Sequence, residues 1–197
     1  MALHLPAKQN LNILDIATGT ADVLLTLNRN GQIKKAVGLD MAEKMLELGR
    51  VKIKEKNLSG KINLIPGDGL FLPVRDNSMD VVTIAFGIRN MPDVQKSLIE
   101  MHRVLKKDGR ALILEFSLPG NKFIRKLYLF YFRYILPGLG GLISGDSRAY
   151  GYLNKTVETF PYGQAFTDLL KKAGFNKITY RPLTFGIATL YQADKAV

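Results

Sequence analysis

The stretch Leu-Asn-Ile-Leu-Asp-Ile-Ala-Thr-Gly-Thr-Ala-Asp at residues 11–22 decides the fold of this chain. Its pattern predicts a buried strand over 11–16, a turn of small residues over 17–21 and then a helix. A second apolar strand follows and ends at Asp40. A glycine turn after one strand and a carboxylate about 20 residues on, at the end of the next, are typical of a nucleoside-binding α/β fold. We therefore expect the turn's N–H groups to approach a ligand and Asp40 to accept hydrogen bonds from ribose hydroxyls.

The composition of this turn indicates which nucleoside it binds. A dinucleotide site carries G-x-G-x-x-G, so that a pyrophosphate can lie at the helix N-terminus. Here Gly19 is the turn's single glycine, and Asp15 and Asp22 flank it. Two carboxylates repel a pyrophosphate and attract an ammonium or sulfonium group. The turn therefore favours S-adenosylmethionine over NAD.

Composition bounds the class of protein. A length of 197 residues suits a single domain over 1–197. With no cysteine and only two histidines, His4 and His102, the chain offers no disulfide, no cysteine nucleophile and no multi-histidine metal site, so we predict no metal. The lack of cysteine is consistent with a cytoplasmic protein, and residues 1–9 lack the apolar stretch of a signal peptide. The net charge of +11 suits an anionic membrane, nucleic acid or acidic substrates, and equally a basic protein kept soluble by its charge.

Strand and helix patterns alternate along the chain, which predicts a Rossmann-like α/β fold with a mostly parallel, seven-stranded sheet and helices on both faces. A turn is expected at Asp108–Gly109. The predicted helices cover 20–29, 41–56, 92–107 and 164–173. The predicted strands cover 11–16, 33–39, 62–65, 81–85, 111–116, 176–181 and 187–193.

Residues 119–160 interrupt this alternation with an aromatic-rich insert. Arg125, Lys126, Arg133 and Pro137 divide it, so its uncharged stretches fall well short of the roughly 20 residues that a membrane span requires. A basic, aromatic, amphipathic helical insert fits a substrate lid or an interfacial helix. The alternative is a helical insert packed against its own domain.

Several motifs together resemble one family. The most specific are F-G-I-R-N at 86–90 and L-E-F-S with Pro119 at 114–119. The other matching stretches are 14–22, 38–41 with 45–46, 72–73 with 76–80, and 150–153 with 160–161. The chain from residue 11 onward resembles the quinone-biosynthesis C-methyltransferases, that is, the demethylmenaquinone and polyprenyl-benzoquinol methylases. The resemblance implies a class I methyltransferase fold that uses S-adenosylmethionine.

The chain departs from this family's pattern in two places. Ala21 stands where the family's turn carries a glycine, a change that costs little unless residue 21 has a positive φ. The family also carries a longer segment before its first strand than the ten residues found here, and that segment helps to cover the site. We expect from this either a truncated sequence or an unusually open cofactor pocket.

The resemblance implies that the methyl donor is held at the carboxyl ends of the predicted strands, where open α/β sheets bind ligands. Gly19 and Thr20 would touch its methionine end. Asp40 would hold its ribose. Asp68 and the backbone of Gly69 would hold its adenine.

The predicted catalytic residues follow the fourth strand. Ala85 ends that strand, and its small side chain would let the donor approach. Arg89 and Asn90 come next, where the methyl group should face the acceptor. Arginine stays protonated in proteins and cannot be the base, so its expected role is to stabilise the phenolate of a hydroquinol ring, with Asn90 orienting the ring or a water. The alternative for Arg89 is a surface salt bridge.

The residue that accepts the proton is not identified by the pattern. Asp146, Tyr150, Tyr152 and Glu115 are the candidates, without a ranking among them.

The resemblance implies a polyprenyl quinol as substrate, with the insert in peripheral contact with the inner face of a membrane; a homodimer stays open. We expect no nucleic acid partner, because the N/D-P-P-Y/F run of base N-methyltransferases is absent after the fourth strand. Two alternatives remain. One is methylation of another lipid or phenolic small molecule, and the other is a catalytically silent, donor-binding scaffold.

Overall fold

A computed structural model describes residues 1–135 and 156–196. Its strands are β1 (Leu11–Ile16), β2 (Ile33–Asp40), β3 (Ile62–Pro66), β4 (Met79–Ala85), β5 (Leu105–Phe116), β6 (Asn176–Leu183) and β7 (Ala188–Asp194). They form one sheet in the order β3-β2-β1-β4-β5-β7-β6. The first five strands pair in parallel, and β7 runs antiparallel to both neighbours. The predicted mostly parallel, seven-stranded sheet is therefore confirmed.

Five helices that connect these strands have both ends in the described part of the chain. They are α1 (Asp22–Asn28), α2 (Glu43–Glu55), α3 (Val94–Val104), α4 (Lys122–Phe130) and α5 (Gln164–Lys172). A π-helical turn at Tyr131–Ile135 follows α4, and residues 156–159 are helical. Short 3-10 turns cover Ala2–His4, Ile88–Asn90 and Thr184–Gly186. The centre of the predicted insert, with the candidate bases Asp146, Tyr150 and Tyr152, lies outside the described residues.

Helices cover both faces of the sheet, as predicted. Side chains alternate along a strand, so the inward residues of β1 divide between two apolar cores. Leu11 and Ile13 pack in the core that holds residues of α1 and α2. Leu14 and Ile16 pack in the other core, with residues of α3 and α5. Because β1 is buried on both sides, its carboxyl end is a rigid base for the turn that follows.

The predictions for the end of the third long helix, for the turn after it and for the start of the fifth strand are wrong. The predicted helix over 92–107 ends at Val104, and the predicted turn at Asp108–Gly109 lies inside β5. Asp108 has φ 58°, and the pairing of β4 with β5 shifts register nearby, so the two residues form a bulge in a continuous strand. The backbone bonds between this bulge and Lys195 explain the difference: Asp108 N donates to Lys195 O, and Lys195 N donates to Gly109 O. Pairing with the far end of the chain is invisible to a local pattern.

Candidate active site

A cavity of about 290 Å³ lies at the carboxyl ends of the central strands. The strand order reverses between β1 and β4, which is where open α/β sheets bind ligands. Four predicted site residues line the cavity, namely Asp40, Gly69, Ala85 and Asn90. The structure thus brings together residues from three different strand ends and from the 3-10 turn after β4.

The turn after β1 contains three residues in the left-handed region. Ala17 has φ 51°, Gly19 has φ 54° and Ala21 has φ 65°. The expectation that alanine costs little at position 21 required a negative φ, and the structure contradicts that condition. A left-handed conformation costs an alanine about 1–2 kcal/mol relative to its right-handed one, because Cβ crowds the following carbonyl oxygen. The turn keeps this conformation despite the cost, and α1 begins directly after it.

Asp40 fastens the turn to the end of β2. Its Oδ2 accepts a hydrogen bond of 2.8 Å from the backbone N–H of Gly19, and its Oδ1 accepts one of 2.9 Å from that of Ala42. Each carboxylate oxygen has a second lone pair that these bonds leave unused. Asp40 can therefore hold the turn in place and still accept hydrogen bonds from a ligand in the cavity.

Asp68 and Gly69 follow β3, and of these two residues Gly69 lines the cavity. Asp68 Oδ1 accepts from the backbone N–H of Leu70 at 2.9 Å. A Cβ added to Gly69 would lie 2.8 Å from Met91 Cε and 3.0 Å from Ile16 Cγ2. Only a glycine fits there without displacing Met91 or Ile16.

Thr20 lies apart from the cavity lining. Its hydroxyl donates to Asp22 Oδ2 at 2.6 Å and accepts from Lys52 Nζ at 2.8 Å, and Lys52 also forms an exposed ion pair with Asp22. The side chain of Thr20 is therefore engaged on the outer surface of α1 and α2. A contact between Thr20 and a ligand in the cavity would involve its backbone.

Asp15 is a buried carboxylate next to the turn, with 1% of its surface exposed. Its oxygens accept hydrogen bonds from the hydroxyls of Thr18 and Thr83, and the described residues form no ion pair with it. Burial raises the pKa of Asp15 to about 6, the two hydroxyl hydrogen bonds oppose this increase, and the charge of Asp40 adds to it. The sequence analysis missed Thr83, although a hydroxyl in the apolar run Val-Val-Thr-Ile-Ala is a signal that could have identified it.

Arg89 is buried and paired with Glu115 at the end of β5. Arg89 Nη1 donates to Glu115 Oε1 at 2.7 Å and to the carbonyl oxygen of Phe86 at 2.6 Å. The two side chains are 9% and 1% exposed, so this is not the surface salt bridge that was the alternative for Arg89. The guanidinium also lies 5.0 Å from the ring centroid of Phe116. The charge at the predicted catalytic position is thus held in a fixed, largely dehydrated place.

Glu115 uses its carboxylate for structure as well. Oε1 also accepts from the backbone N–H of Phe116 at 2.8 Å, and Oε2 accepts from that of Arg89 at 3.3 Å. These bonds, together with the Arg89 guanidinium, occupy the carboxylate and do not favour Glu115 as the proton acceptor. Its assignment as a candidate base stays a prediction.

Comparison with known proteins adds independent findings. The model of the ubiE/COQ5 methyltransferase family matches residues 3–195. A demethylmenaquinone methyltransferase of Bacteroides fragilis is 40% identical over 183 residues, which cover 93% of this chain and 75% of that protein. A ubiquinone/menaquinone biosynthesis C-methyltransferase UbiE of Citrifermentans bemidjiense is 44% identical over 184 residues, which cover 93% and 78%.

A solved structure matches the fold over the whole chain. The crystal structure of a putative methyltransferase from Bacillus halodurans C-125 aligns with a TM-score of 0.70 and 19% identity, and the alignment covers 100% of this chain and 97% of that one. At this identity the likeness speaks for the Rossmann-like methyltransferase fold alone.

Proposed function

This chain belongs to the ubiE/COQ5 methyltransferase family and is a methyltransferase that depends on S-adenosylmethionine, and from that premise we propose that it methylates a ring carbon of a polyprenyl quinol. The relatives carry names from demethylmenaquinone methylation and from ubiquinone/menaquinone biosynthesis. The substrate that we infer is accordingly a demethylmenaquinol or a polyprenyl benzoquinol. The observation that carries the proposal is the meeting of Asp40 and Gly69 at one cavity, where the strand order reverses.

The residues at this edge of the sheet fit the donor. Asp40 has lone pairs free for two ribose hydroxyls, and Asp68 has a carboxylate oxygen, Oδ2, with which to accept from the adenine amine. Gly69 lines the cavity, where its backbone is available to the adenine edge. We assign Gly19 and the backbone of Thr20 to the methionine end of the donor, and Ala85 to the wall beside it.

Electrostatics at the turn support a cationic ligand. Asp15 is a buried acid with no cation of its own among the described residues, and Asp40 lies close enough to raise its pKa further. A sulfonium and an ammonium group placed near these carboxylates would offset part of the cost of their ionisation. A pyrophosphate would add to that cost.

Methyl transfer requires the protein to position the donor and the ring, and it requires no covalent bond between the protein and either of them. When bound, S-adenosylmethionine supplies an electrophilic methyl group: the ring carbon takes the methyl, the electron pair of the broken C–S bond stays on sulfur, and the ring proton leaves to a base. We assign to Arg89 the stabilisation of a ring phenolate, which is a far better carbon nucleophile than the phenol. Asn90, which lines the cavity, orients the ring or a water molecule. Holding the two reacting carbons in line supplies much of the acceleration.

The test is turnover of defined quinols. The purified chain is incubated with isotopically labelled S-adenosylmethionine and a panel of reduced demethyl-quinones, and products are read by mass spectrometry. We expect label on a ring carbon of one class of quinol. Asp40→Asn serves as the site variant, with weaker donor binding in calorimetry but an unchanged fold. Donor binding without turnover of any quinol would point to the silent scaffold, methylation of other phenols to the related-enzyme alternative, and binding of NAD instead of the donor would contradict the proposal outright.

We also propose peripheral contact with an anionic membrane through α4 and the π-helical turn after it. This surface exposes Phe123, Leu127, Phe130 and Tyr134, and Phe123 is 77% exposed. Their spacing places them along one side of the helical segment. Residues 119–135 contain four basic residues and no acidic one, which suits anionic headgroups. In the described ranges, no helix is long and apolar enough to cross a bilayer.

Sedimentation with vesicles tests this contact. We expect binding to vesicles that contain phosphatidylglycerol at low salt, weaker binding at high salt, and a loss of binding for Phe123→Ser combined with Leu127→Ser. Leu48→Ser is the matched control, because Leu48 is an exposed leucine on α2. Protein that stays in the supernatant with every vesicle at low salt would refute the membrane contact.

A cytoplasmic location at the inner membrane face and a homodimer belong to the same proposal, and cross-linking would test the dimer.

A further inference from the structure

Two polar atoms beside the active site are buried and have no hydrogen-bond partner among residues 1–135 and 156–196: Nε of Arg89 and the hydroxyl oxygen of Tyr128. Tyr128 belongs to α4, and only 9% of its surface is exposed. Proteins seldom leave a buried donor unsatisfied, because the hydration that the group loses is then not replaced by a hydrogen bond. Such groups next to an active site indicate that a ligand completes them.

Phe116 links the surroundings of the two side chains. The Arg89 guanidinium lies over the ring of Phe116, and Phe116 packs against the apolar cluster that contains Tyr128 and Phe132. The rings of Tyr128 and Phe132 stack with centroids 5.0 Å apart. The positive charge of Arg89 also acts on the Tyr128 hydroxyl. It lowers the pKa of that hydroxyl, although burial has the larger effect and raises the pKa to about 12. Tyr128 is therefore a hydrogen-bond donor at neutral pH and not a base.

This neighbourhood adjoins the donor cavity. Phe86 lines the cavity, and its ring lies 4.5 Å from that of Phe116. Phe86 and Phe116 thus connect the cavity to the apolar cluster that contains Tyr128 of α4. Aromatic side chains suit a flat apolar ring, and two unsatisfied N–H and O–H groups suit an oxygen on that ring.

We propose that the Tyr128 hydroxyl and the Arg89 Nε–H together bind one ring oxygen of the acceptor, which makes Tyr128 a substrate-binding residue of the active site. The inference rests on the proposed function for the identity of the ring. Hydrogen bonds to a charged oxygen are about twice as strong as those between neutral groups, so the pair would favour the phenolate over the phenol. The insert would then contribute a specific polar contact to the acceptor, in addition to its apolar surface.

The variant Tyr128→Phe removes the hydroxyl and keeps the ring. We expect kcat/KM for the quinol to fall about 10- to 100-fold, the effect of losing a hydrogen bond to a charged group, with the affinity for S-adenosylmethionine unchanged. The urea midpoint of the variant should rise, because an unsatisfied buried hydroxyl is gone. Tyr180→Phe is the matched control, since Tyr180 is an exposed tyrosine on β6, away from the cavity and from α4, and it should leave each of these quantities unchanged.

The outcomes separate this inference from the function on which it rests. A higher midpoint with an unchanged kcat/KM would overturn the inference, since Tyr128 would then only fill space. A fall in donor affinity equal to the fall in kcat/KM would overturn it too, because a general disturbance of the site would explain both. If the wild type methylates no quinol, the proposed function fails. Binding of a short-chain hydroxynaphthoquinone, followed by fluorescence, then decides the inference: equal affinities for wild type and Tyr128→Phe, or no binding by either, overturn it.

Discussion

Two buried aspartates on neighbouring strands show that the sheet is built differently at the amino ends of its parallel strands and at their carboxyl ends. Asp80, at the amino end of β4, accepts hydrogen bonds from Lys8, Lys106 and the backbone N–H of Asn12. Burial opposes its ionisation, but these bonds and the charge of Lys106 outweigh burial and lower the pKa of Asp80. Asp15, near the carboxyl end of β1, has two hydroxyl partners and a pKa raised to about 6. At the amino ends of the strands, the chain's own lysines compensate the negative charge of Asp80. At the carboxyl ends, Asp15 has no cation among the described residues, and a ligand can supply the positive charge.

Glu115, also at the carboxyl edge, is the third carboxylate buried among the described residues, and it has a cation. Its partner Arg89 is itself buried, unlike the lysines around Asp80. Removal of Arg89 would therefore leave a negative charge with neither water nor a counterion. The comparison of the three acids predicts that variants at these positions change the free energy of unfolding by different amounts and in different directions.

The largest effect is expected for Arg89→Ala. Breaking a buried ion pair from one side typically costs about 3–5 kcal/mol of unfolding free energy, because the remaining charge stays buried. Urea unfolding measures this loss. Lys52→Ala is the control, since its pair with Asp22 is exposed, and its effect should stay below about 1 kcal/mol. Equal losses for the two variants would show that the Arg89–Glu115 pair is not dehydrated as the structure indicates.

The next effect is a gain in stability, for Asp15→Asn at pH 7. The pKa of Asp15 rises from 3.8 in the unfolded chain to about 6 in the folded protein, so its ionised form costs roughly 3 kcal/mol at neutral pH. Asparagine has the same shape and no charge, and it can still bond the two threonine hydroxyls. We expect the variant to unfold at a higher urea concentration than the wild type.

The pH dependence of this gain in stability is a second test of the raised pKa of Asp15. As the pH falls below about 6, folded wild type binds a proton that the unfolded chain binds only near 3.8, so the wild type gains stability and the advantage of the variant shrinks. Unfolding at pH 7 and at pH 5 should show the difference between the proteins decrease by roughly 1 kcal/mol. Asp22→Asn is the control, because the hydrogen bond from Lys52 lowers the pKa of Asp22, so that Asp22 stays ionised at both pH values and the difference between this variant and the wild type should stay constant. A constant difference between wild type and Asp15→Asn would contradict the raised pKa.

A loss of about 1–3 kcal/mol is expected for Asp80→Asn at pH 7, because hydrogen bonds to a charged acceptor are removed or weakened. The lowered pKa means that this stabilisation is present above about pH 4 and disappears as the pH falls through the folded value. The two aspartates should therefore respond with opposite signs to the same chemical change. If Asp80→Asn were more stable than the wild type at pH 7, the proposed difference between the amino and carboxyl ends of the strands would be wrong.

The smallest effect is expected for Ala21→Gly. Glycine relieves about 1–2 kcal/mol of left-handed strain but removes a fully buried methyl group, worth about 0.8 kcal/mol, and adds backbone freedom to the unfolded chain. These terms offset one another, so the unfolding free energy should change by less than about 1 kcal/mol. A loss above about 2 kcal/mol in a urea titration would show that the methyl group matters more than the turn's conformation.

Much of the fold followed from local pattern. The run at residues 11–22 predicted a strand, a turn and a helix, and the structure places them within two residues of the expected bounds. The sheet type, the methyltransferase family and the donor are confirmed as well. The end of α3 was misplaced, because β5 is extended by pairing with Lys195, far along the chain. The roles of Arg89, Asn90 and the donor-binding residues stay predictions.

The sequence alone determined the fold class, the family and the expected position of the ligand crevice. Periodic burial and the turn chemistry are local properties, and the crevice follows from the ends of consecutive strands. Only the tertiary structure decided which charges are compensated. Arg89 and Glu115 are 26 residues apart, and Asp15 and Thr83 are 68 apart. Packing between distant segments sets how deeply each carboxylate is buried and which partners it has. It therefore decides whether a buried carboxylate is paired with a cation of the chain, and so stabilises the fold, or stays available to a cationic ligand.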